Sequence, residues 1–129
     1  MMYLSPEMRS ITREVALSRE TNPSLKQQRY TTLQKKIPLD KVDIYAAGLV
    51  LFEMCGNFTT AAERCNSLNN IWKFRTFPKG FTDKFYQESK IIAMMTDPVP
   101  EKRPTAAFFL NKSSEHKCYS FDLKVGSLL

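Results

Sequence analysis

The chain has 129 residues, 43 % of them apolar and 12 % aromatic, which suits one packed domain and excludes both a two-domain protein and a wholly disordered one. Its net charge is +6, and no apolar run reaches the roughly 18–20 residues that a membrane-spanning helix needs. Residues 1–10 lack the basic-then-apolar pattern of a signal peptide, and the three cysteines, Cys55, Cys65 and Cys118, form no CxxC pair, which favours free thiols in a reducing, cytoplasmic setting over a disulfide framework or zinc site.

In chain order, residues 3–12 read as a short extended piece entering a turn of helix at Pro6, since proline is tolerated at a first helical position. Residues 17–39 are polar, broken by Pro23 and Pro38, and without a sustained period. They read as a long loop, with a weak helix at 24–35 capped by Ser24 as the alternative. The surrounding stretch 8–39 is basic, with seven Lys or Arg residues against Glu14 and Glu20. Such a charge suits nucleic acid or an acidic partner, but the segment reads first as a solvated, flexible loop, and with Tyr30 its only aromatic it offers no platform for stacked bases, so nucleic acid is not expected as a partner.

Residues 40–56 predict the clearest helix. Asp40 is positioned to cap it, Asp43 to sit in the first turn where the helix dipole favours a negative charge, and Gly56 to stop it. Between them the side chains are apolar all round, interrupted only by Glu53, which predicts a buried helix. Gly48 in its middle costs about 1 kcal/mol relative to alanine and is tolerable where another backbone approaches closely.

A helix at 60–72 follows, with Thr60 and Glu63 at capping-box spacing. After a turn at 77–80, Phe85, Ile91, Ile92, Met94 and Met95 predict a helix over 82–96 that Asp97 and Pro98 end. Pro100 and Pro104 stiffen the next connection, and a last helix is expected at 105–111. Residues 113–129 form a tail in which His116, the sole histidine, reads as solvated. Helices dominate and no strand pair is evident, so the fold class is mainly α.

Three separated pieces carry a resemblance. They are Tyr3-Leu4-Ser5-Pro6-Glu7; Asp43-Ile44-Tyr45-Ala46-Ala47-Gly48; and Arg103-Pro104-Thr105 behind Asp97. In this order they resemble the end of the activation segment, the central C-lobe helix and the late arginine motif of eukaryotic protein kinases, with Ser5 in place of alanine and a long stretch between the first two. The resemblance covers residues 1–112 and implies a partial, helical kinase C-lobe, truncated before the N-lobe and the catalytic loop. It implies that Glu7 pairs with Arg103, 96 positions away, through a bidentate arginine–carboxylate fork that pins the activation-segment end to the base of the lobe. It also implies that Asp43 accepts backbone N–H bonds from the catalytic loop.

A narrower resemblance rests on Lys41-Val42-Asp43-Ile44-Tyr45, on Phe58-Thr59-Thr60-Ala61-Ala62-Glu63-Arg64, and on Phe77-Pro78. These are similar to the kinases of the translation initiation factor 2 alpha subunit, in which the helix at this position docks the folded substrate. Carried over, Thr60, Glu63, Arg64 and Ser67 are candidate docking residues, and the partners are that alpha subunit or the remaining half of a kinase. The family implies ATP, magnesium, translational control and a stress response. This chain has no Gly-rich loop, strand lysine, His-Arg-Asp or Asp-Phe-Gly, so no catalytic, cofactor or metal residue is assigned and the chain alone is expected to be inactive. Its start inside a motif suggests a truncated gene model, a split gene or an expressed fragment. The alternative function is a non-catalytic binding module or decoy. A lobe lacking some of its family's neighbours should leave part of the central helix wet, and marginal stability or self-association is expected.

Overall fold

The computed structural model describes residues 3–115, and the expectations for His116, Cys118 and the rest of the tail lie outside them. The described residues form seven α-helices, a short 3-10 turn and no strand. In order they are α1 (Pro6–Leu17), α2 (Pro23–Gln34), α3 (Leu39–Cys55), α4 (Ala61–Phe74), α5 (Phe81–Lys84), α6 (Tyr86–Met95), the turn Pro100–Lys102, and α7 (Ala106–Glu115).

Helix α3 is the axis of the fold. Tyr45, Gly48, Leu49 and Phe52, at i, i+3, i+4 and i+7, make its buried face. They pack against Leu68 and Ile71 of α4, Phe81 of α5 and Ile92 of α6. Each large apolar side chain so covered contributes on the order of 1.5–3 kcal/mol. Phe52 lies 5.0 Å from Phe81, and Phe81 lies 5.1 Å from Phe77, centroid to centroid, so an aromatic cluster closes the lower half of the core. At Gly48 a Cβ would lie 2.8 Å from Met95 Cβ and 2.9 Å from Thr96 Cγ2. The glycine is what lets α6 approach α3 this closely.

Several sequence expectations need correction. Helix α1 runs twelve residues rather than one turn, because Met8 and Ile11 give it a face to bury. The 17–39 stretch, expected as a loop, contains the twelve-residue α2. Its cap is Asn22, not Ser24: the Asn22 carboxamide oxygen accepts the Ser24 N–H at 2.9 Å, with Pro23 at the first helical position. Asp40 does not cap α3, which begins at Leu39. It lies inside the first turn, and Asp43 falls in the second. The expected helix over 82–96 is broken at Phe85, whose backbone leaves helical angles (φ −123°, ψ 57°) as its ring comes within 5.2 Å of Phe81. The last helix continues through residue 115, past the expected tail boundary. Nor is α3 buried all round. Val50 and Met54 are 45 % and 64 % exposed, because no described element covers that side.

Candidate functional site

Arg103 is the most enclosed charge in the described structure. Its side chain has no exposed surface and Glu7's is 15 % exposed. The fork is bidentate: Nη1 donates to Glu7 Oε1 at 2.6 Å and Nη2 to Glu7 Oε2 at 2.9 Å. Nη1 also donates to the Lys41 carbonyl at 2.9 Å and Nε to the Asp97 carbonyl at 2.7 Å. The guanidinium lies 4.8 Å from the centre of the Tyr45 ring, and Lys41 Nζ returns a bond to the Arg103 carbonyl at 2.5 Å. One arginine thus ties the start of α1, the start of α3 and the turn before α7. Burial pushes the Glu7 carboxyl up, but bonds from Arg103 and from its own backbone N–H outweigh this and leave it below its ordinary value. The Ser5 hydroxyl, fully buried, biases Glu7 the same way without a hydrogen bond of proper geometry.

Helix α4 and its N-cap Thr60 carry the four candidate docking residues. The Thr60 hydroxyl accepts the Glu63 N–H at 3.1 Å, which caps the helix. Glu63 reaches back to Thr59, accepting its N–H at 3.0 Å and its hydroxyl at 2.8 Å, one residue beyond the usual box. Those bonds, from the Thr59 backbone first and its hydroxyl second, hold the Glu63 carboxyl below its ordinary value. Arg64 pairs through Nε with Glu53 of α3 and donates from Nη2 to the Tyr3 hydroxyl at 2.6 Å. Tyr3 in turn donates to Glu53. The bond to Glu53, with burial second, raises the Tyr3 hydroxyl's pKa above its ordinary value. Ser67 is half-buried. Three of the four residues are therefore engaged within the chain.

The far end of α4 is fixed by Arg75, which adopts the left-handed conformation (φ 53°) that a residue with a Cβ rarely takes. Its Nη1 donates to the Thr96 carbonyl at 2.7 Å and its Nη2 to the Ala93 carbonyl at 3.0 Å, binding the last turn of α6. Sequence reasoning missed Tyr3, Glu53 and Arg75. A signal existed for Glu53, the only charge between Asp43 and Gly56, since a carboxylate in an apolar run requires a partner. Asp43 is exposed and makes no hydrogen bond among the described residues. Among those residues no three His, Cys, Asp or Glu side chains gather to hold a metal. The sequence has no Gly-rich phosphate loop. No helix of the described part is long and apolar enough to cross a membrane.

No protein-family profile matches the chain, but curated relatives do. It is 41 % identical over 66 residues to eukaryotic translation initiation factor 2-alpha kinase 3 of Rattus norvegicus, covering 51 % of this chain and 6 % of that protein. It is 40 % identical over 67 residues to the protein named probable serine/threonine-protein kinase ifkC of Dictyostelium discoideum, covering 52 % and 4 %. Against eukaryotic translation initiation factor 2-alpha kinase 1 of Schizosaccharomyces pombe the identity is 36 % over 83 residues, covering 64 % and 12 %. The chain thus spans a small fraction of each relative's length. The helical architecture and these likenesses define a segment resembling a protein kinase C-lobe. Within that class, over about half of its residues, it is similar to the initiation factor 2-alpha kinases.

Proposed function

We propose that this chain supplies scaffold and substrate docking for a serine/threonine kinase acting on the initiation factor 2 alpha subunit, and that it performs no phosphoryl transfer of its own. Supporting the reading is the way α4 is held: capped by Thr60 and Glu63 at one end, tied to α3 through Arg64, and tied to α6 through Arg75 at the other. A helix fixed at both ends presents its free face with little loss of freedom on binding. That face carries Ala62, Asn66, Asn70 and Lys73, at i, i+4, i+8 and i+11, all exposed, with Phe74 exposed at the end. In this reading Thr60, Glu63 and Arg64 position the docking helix, and the outward residues touch the substrate. The setting is cytoplasmic, and ATP and magnesium belong to a complete kinase domain.

The test is binding of the folded alpha-subunit domain to the full chain by titration calorimetry. Saturable binding is expected, weakened about tenfold by Lys73→Glu and by Phe74→Ala, changes on the exposed face that leave the fold intact. No binding, or binding indifferent to both, overturns the docking assignment. The lack of His-Arg-Asp and Asp-Phe-Gly in this sequence also supports a decoy role. Added to an active initiation factor 2-alpha kinase, the chain is expected to slow substrate phosphorylation, and an unchanged rate at saturating chain removes that role.

A further inference from the structure

Between α1 and α4 lies an open groove of about 450 Å³. Leu4, Pro6 and Ala16 give it an apolar lining, Arg9 and Arg13 its charge, and Trp72 of α4 the opposite wall. The α1 residues recur at i, i+3, i+7 and i+10, one face of the helix, while Met8 and Ile11 bury the other. Arg9 lies flat against the indole, 4.0 Å from its ring centre, with Nε bonded to the Leu4 carbonyl at 3.0 Å. Arg13 is exposed and has no ion pair or hydrogen bond among the described residues.

The charged residues that line the groove, Arg9 and Arg13, are of one sign. Stretch 8–39 has two acids, and both are engaged. Glu14 pairs with Arg29 at 3.0 Å, and Glu20 accepts the Asn22 N–H at 2.9 Å. Among the described residues no ion pair engages Arg13, which lines the groove, nor Arg19, Lys26, Lys35 or Lys36 along the same stretch. An apolar trough under a field of one sign selects an occupant that is apolar on one side and negative on the other. We propose that this groove docks an acidic, leucine-bearing peptide segment of a partner protein. An apolar side chain of the peptide lies against Trp72 and Pro6, and its carboxylates meet Arg13. Nucleic acid is the poorer fit, because the groove offers a single aromatic and one face of it is already covered by Arg9. The site is separate from the outward face of α4 and does not depend on that docking assignment.

Trp72 is the chain's only tryptophan, so its emission reports directly on the groove. The full chain is titrated with a short synthetic peptide alternating Glu and Leu, with the same peptide carrying Gln for Glu, and with oligothymidylate. Expected is a saturable change in Trp72 emission with the Glu peptide, weakening steeply with salt, and none with the Gln peptide. Arg13→Glu, on an exposed side chain, is expected to weaken binding about tenfold with far-ultraviolet dichroism unchanged, and Arg13→Gln to fall between. Equal binding of the Gln peptide, indifference to both Arg13 substitutions, or tighter binding of oligothymidylate than of the Glu peptide overturns the proposal.

Discussion

Arg103 and Arg29 each pair with a glutamate, at 2.6 and 3.0 Å, in opposite surroundings. Arg103 is sealed beneath the core, its guanidinium bonded to Glu7 and to two backbone carbonyls. Arg29 joins α2 to α1 on the outside, with about half of each side chain exposed. The lesson is that ion-pair distance says little about energy. In water the pair exchanges hydration for a contact of similar worth, whereas in the core the loss of one partner strands a desolvated charge.

The sharpest way to break the comparison is to remove one carboxylate at a time. Glu7→Ala is expected to cost about 3–5 kcal/mol, seen as a lower denaturant midpoint, because Arg103 stays buried without its counter-charge. Arg103→Lys should not rescue the clasp, since an ammonium cannot reproduce the fork or reach both carbonyls. The pH profile separates the charge from the packing. Glu7 in the folded chain lies below its ordinary value of 4.5. Its contribution is therefore present above that value and is lost as pH falls through the lower folded one. Glu7→Gln should flatten that acid limb, and an unchanged limb would remove Glu7 as its source.

Gly48→Ala tests whether the core holds through close approach or through charge. On an isolated helix the change gains about 1 kcal/mol. Here the new methyl would meet Met95 Cβ at 2.8 Å, atoms that cannot swing away, so a net loss of about 1–3 kcal/mol is expected. A stabilised variant would mean that α6 gives way more easily than the packing implies.

Tyr3→Phe probes the third charge environment, between these extremes. It removes the hydroxyl that bridges Glu53 and Arg64 and is expected to cost about 1 kcal/mol. The Tyr3 hydroxyl's pKa lies above its ordinary value of 10.0. The tyrosine's contribution is therefore complete below that value and is lost as pH rises through the higher folded one. In Tyr3→Phe that alkaline loss should vanish from melts recorded across the range.

These same residues mark how far the sequence could be read. Glu7 and Arg103, 96 positions apart, were legible because each sits in a short motif whose partners are specific. Gly48 was legible because a glycine inside a strong helix needs a reason. The start of α4 was legible from Thr60 and Glu63, whose spacing is a local rule. The intrachain partners of Arg64 were not: its type and place suggested a docking charge, and only the fold brings Glu53 and Tyr3 to it. Arg75 left no trace, because left-handed backbone at an arginine has no sequence signature. In the α1–α2 hairpin the stretch 17–39 reads as a loop, with a weak helix over 24–35 only as the alternative, because α2 buries nothing and shows no apolar period. Its start depends on an asparagine–proline pair that is equally at home in a turn.

The smallest expected effect lies on that hairpin. Arg29→Ala and Glu14→Ala should each move stability by under about 0.5 kcal/mol. The coupling between them in a double-mutant cycle should fall at about 0.2–1 kcal/mol and shrink with added salt. A coupling that instead rivals the loss in Glu7→Ala would mean that the α1–α2 contact is far more enclosed than an ion pair half open to solvent allows. The same measurement bears on the groove beside it. Releasing Glu14 from Arg29 by Arg29→Ala frees a carboxylate two residues from both Thr12 and Ala16, on the helix that lines the groove. If the field of the hairpin is what draws an acidic segment, the variant should bind the Glu peptide more weakly even though it barely changes stability. Stability and affinity would then part at one residue, as they should where a pair's energetic weight is small and its charge is not.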